Sequence, residues 1–94
     1  MSKSIISNER ECVVCGDTRC LHKHHIYYGT ANRRLSEKYG CWCYLCPNHH
    51  NMSDYGVHKY KPLDNALKMS CQAILEADGW SRDEFIKIFG RSYI

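Results

Sequence analysis

Cys12 and Cys15 are separated by two residues, and after thirty further residues Cys46 and His49 repeat that spacing. Two such knuckles can bring four soft donors to the corners of a tetrahedron, which is the arrangement a structural zinc ion takes. Exchanging His49 for Cys43 gives a second Cys-x2-Cys of equal spacing. Cys43, however, falls inside an apolar run where strand alternation turns it toward a core, whereas Cys46-Pro47-Asn48-His49 has the composition of a turn. The expected zinc set is therefore Cys12, Cys15, Cys46 and His49. Against that reading stands the ordinary role of a free cysteine as a small buried hydrophobe, and Cys20, Cys41 and Cys71 are expected in the core on that ground. Five histidines remain: His22, His24, His25, His50 and His58. His24-His25 and His49-His50 are consecutive pairs, each beside a strand end and close to a knuckle that zinc would draw together.

Seven Cys and six His in 94 residues are an unusual load, and every histidine and six of the cysteines lie between Cys12 and His58. A chain of 11.0 kDa supports one hydrophobic core and hence one domain. No run approaches the roughly eighteen apolar residues of a membrane span, and MSKSIISNERE lacks the apolar stretch of a signal peptide. A reducing cytoplasm is expected, where an odd number of cysteines mixed with histidine reads as metal binding rather than a disulfide framework. The net charge of +3 is uneven: residues 1–11 are neutral, residues 12–61 carry +4 and residues 62–94 carry −1. The basic excess on the Cys/His half is a weak pointer to a polyanionic partner.

The elements follow from local patterning. Residues 1–11 read as a polar lead-in, and residues 12–94 as a single domain whose Cys/His part spans 12–61 and whose helical part spans 62–94. CVVCG suits a tight knuckle closed by Gly16. LHKHHIYY, with β-branched and aromatic residues around its histidines, reads as a strand ending before Gly29, and CWCYLC as a second strand. GTANRRLSEKYG reads as a basic loop with one helical turn in its middle, and PNHHNMSDYG as a turn. A helix is expected over residues 62–77, opened by Pro62, closed at Gly79, with Leu67, Cys71, Ile74 and Leu75 on one face. A second is punctuated by Ser81 and Glu84 as a capping box, carries Phe85, Ile86 and Phe89 as its apolar side, and ends at Gly90. The fold class is α+β.

The layout of Cys-x2-Cys, Lys23-His24-His25-Ile26, a basic loop, Leu45-Cys46-Pro47-Asn48-His49-His50 and then a helix resembles the HNH nucleases of the ββα-metal class, particularly the small forms carried by phages and mobile elements. The resemblance covers roughly residues 12–75. It implies a zinc-stapled ββα-metal finger followed by a further C-terminal helix. It also implies that His24 is a ligand of a catalytic metal, that His25 is the general base, that His49 completes the zinc set in place of a more usual cysteine, and that His50 is the second catalytic-metal ligand. His58 falls where such relatives often supply a further ligand. One position departs: the central Asn of the family lies nine residues before the ligand histidine, and Cys41 stands there.

Phosphodiester hydrolysis needs a nucleophile at neutral pH and stabilisation of charge on the phosphate and departing oxygen. An imidazole of ordinary pKa, about 6.5, can accept a proton from water, as His25 would do if its other ring nitrogen is held by a backbone carbonyl. One divalent cation on His24, His50 and His58 would act as Lewis acid; imidazole donors suit a transition metal such as Mn²⁺, Ni²⁺ or Zn²⁺, and Mg²⁺ bound largely through water and phosphate fits as well. Lys23, Arg33, Arg34, Lys38, Lys59 and Lys61 surround these residues in sequence and suit phosphate contacts, which bind DNA without reading its sequence. Tyr27 and Tyr28 are candidates for sugar or base contact. The expected function is thus a metal-dependent DNA endonuclease of low sequence specificity, with structural Zn²⁺ and one catalytic divalent metal, acting in the cytoplasm of a host cell and without membrane contact. A homodimer or a recruiting protein partner is compatible with it. The alternative is a zinc-stabilised module that binds DNA or protein without catalysis, but such a module needs four ligands and has no use for a further histidine beside each knuckle.

Overall fold

The computed structural model describes residues 3–51, 53, 54 and 56–94; Met1 and Ser2 of the lead-in, and Met52 and Tyr55 of the segment after His50, lie outside the described residues. Two short strands, β1 (His22–His25) and β2 (Trp42–Leu45), pair antiparallel with His22 opposite Leu45, Lys23 opposite Tyr44, His24 opposite Cys43 and His25 opposite Trp42. Among the described residues four helices accompany them: α1 (Thr30–Tyr39) between the strands in sequence, α2 (Pro47–His50) directly after β2, α3 (Lys61–Ala77) and α4 (Arg82–Phe89). The α+β class is as expected, and no helix among the described residues is long and apolar enough to cross a membrane.

Two segments read as loop or turn are helical. Residues 30–39 are rich in good helix formers, Ala31, Arg33, Arg34, Leu35, Glu37 and Lys38, and form nearly three turns rather than one. The periodicity was hidden because the residue this helix buries most deeply is Ser36. Gly40 closes α1 with φ +74°, sending its N–H to the Ser36 carbonyl. PNHH is a single helical turn in which Pro47 occupies a first-turn position that needs no donor, and the His50 N–H returns to the Cys46 carbonyl at 2.9 Å.

The core lies between the sheet and the last two helices. Leu67, Cys71 and Leu75 form the buried stripe of α3, joined by Asp64 and Gln72, and Phe85 and Phe89 form that of α4. Ile74 and Ile86, expected on these faces, are 38% and 37% exposed and sit at the margins of the two stripes. Ser81 accepts the Glu84 N–H at 3.1 Å, and Gly90 ends α4 in the left-handed region, as its punctuation implied. Tyr27 is fully buried, packs against Phe85, Phe89 and Tyr93, and donates its hydroxyl to the Lys68 carbonyl at 2.7 Å. It is a core residue and is withdrawn from the candidates for substrate contact. Cys41, Cys43 and Cys71 are buried as expected. Cys20 is not: it is exposed with φ +51°, on a bend leading into β1, where the left-handed backbone turns its side chain away from the core.

The start of the chain is tied to this body. The Ile5 N–H donates to the Gly40 carbonyl at 2.9 Å, the buried Ser4 hydroxyl donates to the Trp42 carbonyl, and Ile5 and Ile6 pack against the core. Gly40 is where these constraints meet, because a Cβ there would collide with the Lys3 carbonyl in addition to straining a positive φ. Gly40→Ala is expected to destabilise the protein by at least about 2 kcal/mol. Urea unfolding at fixed metal content measures this, and an unchanged midpoint would remove Gly40 as the anchor of the N-terminal strap.

Candidate metal centre and catalytic cleft

The two knuckles meet. The Cys12 knuckle is a closed turn, with Cys12 N–H to Asp17 O at 2.8 Å and Gly16 N–H to Cys12 O at 2.8 Å, and Val13 N–H reaches the Tyr44 carbonyl of β2 at 3.0 Å. This brings Cys12 and Cys15 against the end of β2, from which Cys46 and the α2 residue His49 project. One donor atom from each of the four lies within 4.8 Å of all the others. Cys15 Sγ and Cys46 Sγ are 3.7 Å apart, and His49 Nδ1 is 3.2 Å from Cys46 Sγ and 3.7 Å from Cys12 Sγ. A zinc tetrahedron with ordinary bond lengths has edges of about 3.8 Å between sulfurs and about 3.5 Å between sulfur and nitrogen, so the four side chains fit such an ion with His49 bound through Nδ1. Burial raises the Cys12 thiol's pKa, but the amides of Cys46, Cys15 and Val14 and the Cys15 thiol outweigh it and bring Cys12 down to about 7, favouring the thiolate that a metal needs. Cys43, by contrast, is pushed up to about 12 by burial, with Cys12 and Cys71 adding to the effect, and stays a core thiol.

The second group consists of histidines. His24, His50 and His58 each place one ring nitrogen within 4.8 Å of the other two. β1 aims His24 inward across from Cys43, α2 presents His50 one residue beyond His49, and His58 is carried in by a return segment whose Val57 and His58 amides donate to the His49 and His50 carbonyls at 2.8 and 3.3 Å. The tight approach of that segment uses Gly56, where a Cβ would stand 2.9 Å from the His50 oxygen. Among the described residues His24 Nε2 is buried without a hydrogen-bond partner, and the residue is only 3% exposed. Burial first, then the neighbouring His50, His58, His25 and Lys68, lowers the His24 pKa to about 3. Burial, with His58 and His22 adding, moves His50 in the same direction. A buried, neutral imidazole lone pair with no donor facing it is costly unless something electrophilic occupies the space. His50 Nε2 and His58 Nε2 are 3.1 Å apart, close to the edge of about 3.0 Å that two imidazoles make on an octahedral cation.

His25 points to the other face of β1. Its Nε2 lies 2.9 Å from Glu37 Oε2 on α1, and the same carboxylate takes Lys23 Nζ at 2.8 Å through Oε1. Lys23, then His25, holds the Glu37 carboxyl below its ordinary pKa. A backbone carbonyl was anticipated as the group holding His25; the structure supplies a carboxylate, which leaves Nδ1 as the ring nitrogen turned away from Glu37. Two adjoining hollows meet at this residue. One is lined by Lys23, His24, His25, Tyr28, Arg33, His50 and His58, the other by Lys23, His25, Thr30, Arg33, Arg34 and Glu37. Of the six cations read as phosphate contacts, Lys23, Arg33 and Arg34 line this cleft, with Lys23 also lying over the Trp42 ring at 4.2 Å. Lys38, which lies near the Tyr39 ring, Lys59, at 4.0 Å from Asp54, and Lys61, at the start of α3, line neither hollow. Tyr28 stays in the cleft, its hydroxyl on Asp64 Oδ2 at 3.1 Å and its ring beside His24 and His58.

Position 41, where the resemblance would place Asn, holds the buried Cys41, and the turn after the histidine pair is held by other groups. Ser36, fully buried on α1, accepts the Tyr27 N–H at 3.1 Å and donates to the Tyr27 carbonyl at 2.7 Å, while Ile26 N–H pairs with the Cys41 carbonyl at 2.9 Å. The turn that follows the His24-His25 pair is thereby clamped by one hydroxyl. Neither Ser36 nor Glu37 stood out in the sequence as a partner of the histidine segment, since both are placed by α1, a helix masked by its polar buried face.

The four-donor geometry predicts one tightly held zinc per chain, and Cys12→Ser is expected to lose it together with most of the cooperative thermal transition, because structural zinc contributes on the order of 10 kcal/mol to such sites. Metal analysis and calorimetry decide the matter: a Cys12→Ser protein that keeps one equivalent and melts normally rules out this ligand set. Compared with protein-family models, curated proteins and solved structures, the chain matches none, so its own residues carry the functional argument.

Proposed function

We propose that this chain is a metal-dependent DNA endonuclease of the HNH kind, hydrolysing phosphodiester bonds with little sequence specificity. The observation that carries the reading is the pairing of the buried, unpartnered His24 Nε2, set within a three-imidazole group, with a carboxylate-held His25 that lines the same cleft. A module that uses zinc only to hold its fold gains nothing from either feature.

In this reading Cys12, Cys15, Cys46 and His49 bind structural zinc, and His24, His50 and His58 hold one divalent cation. Mn²⁺ and Ni²⁺ match the imidazole donors, and Mg²⁺ is admissible with water and phosphate completing its shell. When bound, the cation supplies Lewis-acid stabilisation of the phosphate and departing oxygen. Glu37 holds His25 Nε2–H and orients the ring, so that Nδ1 takes the proton from the attacking water. Arg33 and Arg34 sit along the cleft wall where phosphates flanking the scissile bond would run, and their contacts would supply affinity without sequence readout. The Ser36 clamp keeps the turn after His25 from relaxing. Buried free thiols at Cys41, Cys43 and Cys71 suit a reducing compartment such as the cytoplasm of a host cell.

Supercoiled plasmid incubated with zinc-loaded protein and Mn²⁺, Mg²⁺ or Ni²⁺ is expected to yield nicked or linear product. His25→Ala should lower the rate at least about 100-fold. No product with any of the three ions, or equal cutting by His25→Ala, would return the chain to the class of non-catalytic zinc modules. Glu37→Ala is expected to lower kcat about 10- to 100-fold with KM little changed, since Glu37 acts through His25 rather than on the DNA. An unaltered kcat would show that the carboxylate serves only as a partner for Lys23.

A further inference from the structure

His22 has no role in the chemistry described so far. It lies two residues before His24 on β1, hence on the same face, opposite Leu45, the residue that leads into Cys46 and α2. Its Nδ1 is 2.8 Å from the Nδ1 of His50, and the two rings meet edge to face with centroids 5.0 Å apart. The other nitrogen of His50, Nε2, faces His58 Nε2 at 3.1 Å. His50 is therefore held at one nitrogen by His22 and turned at the other into the three-histidine group.

We propose that His22 is the positioning residue of the three-histidine metal site, accepting the Nδ1–H of His50 and thereby reserving the His50 Nε2 lone pair for a cation. Proton bookkeeping selects this arrangement. Two Nδ1 atoms 2.8 Å apart share one proton. If His22 carried it, a neutral His50 would have its proton on Nε2, where it would project into the group and block coordination. If His50 carries it, Nε2 is a bare lone pair directed at the space it shares with His24 and His58. Metal-binding histidines commonly donate their second nitrogen to a carboxylate or carbonyl oxygen, which fixes tautomer and ring orientation; here an imidazole nitrogen does so. A direct ligand role for His22 does not fit: the bond runs to the His50 nitrogen remote from His58, and the nitrogens that converge within 4.8 Å are those of His24, His50 and His58.

The inference rests on the three histidines binding a cation, and is independent of whether DNA is cut. With the four-donor site loaded with zinc, Co²⁺ or Ni²⁺ is titrated into the full chain and the second equivalent is followed by calorimetry and, for Co²⁺, by visible absorption. His22→Ala is expected to weaken that second equivalent 10- to 100-fold while the zinc content stays at one. His22→Asn should recover most of the affinity, because its side-chain carbonyl oxygen can accept where Nδ1 did. Nitrogen-15 spectra of the zinc-loaded wild type, before the second metal is added, should show His50 protonated at Nδ1. The proposal is overturned if His22→Ala binds the second metal within twofold of wild type, if His22→Asn is as weak as His22→Ala, or if His50 carries its proton on Nε2. The tautomer measurement uses the wild type and so decides the question even if the alanine variant does not fold. A wild type that takes up no second metal overturns the site and this inference together, whereas metal uptake without plasmid cleavage leaves the inference standing and removes only the nuclease reading.

Discussion

Five consecutive residues, Cys46 to His50, carry both candidate centres, and most of the molecule is arranged around that fact. Cys46 closes β2, Pro47 starts a single helical turn, and successive side chains on a helix diverge by about 100°. His49 consequently faces the Cys12 knuckle while His50 faces β1 and His58. Any force that holds Cys46 and His49 to Cys12 and Cys15 also sets the direction of His50. The described residues hold two four-residue strands and a small core, and closing a loop of thirty residues between two knuckles is a substantial constraint on the unfolded chain.

The second layer of control comes from α1. From its buried face Ser36 clamps the Tyr27 backbone, and from its next position Glu37 reaches His25 and Lys23. One helical turn thus governs both the path of the chain after the histidine pair and the orientation of the ring that would act as base. The strand separates the functions of the pair by its alternation: His24 turns inward to the imidazole group, and His25 turns outward to the carboxylate. The consecutive placement of two histidines, which on a helix would leave both on neighbouring faces, on a strand gives one candidate ligand and one candidate base.

A good share of this architecture was legible in advance. The Cys-x2-Cys and Cys-x2-His spacing identified the four converging donors, and the exclusion of Cys43 followed from strand alternation together with the turn-like composition of Cys46-Pro47-Asn48-His49. The α4 helix was readable because Ser81, Glu84 and Gly90 punctuate it with local chemistry. Misreadings fell where local pattern and packing disagree. Helix α1 buries a serine, so its periodicity looks polar; Tyr27 looks like an aromatic available for stacking, yet Phe85, Phe89 and Tyr93, nearly sixty residues or more away in the chain, enclose it. Cys20 resembles the other core cysteines in type, but a left-handed backbone places it outside.

The sequence by itself determined which donors exist, how the knuckles are spaced, and which residues start and stop the last two helices, since capping, alternation and ligand spacing act over a few residues. What each histidine nitrogen meets is set by long-range packing. His22 and His50 are 28 residues apart, His25 and Glu37 twelve, Tyr27 and Ser36 nine, and no local rule relates them. Their juxtaposition depends on the register of β1 against β2 and on α1, the helix that connects the two strands, and hydrogen-bond chemistry at a range of 3 Å is sensitive to that register in a way that composition and periodicity are not.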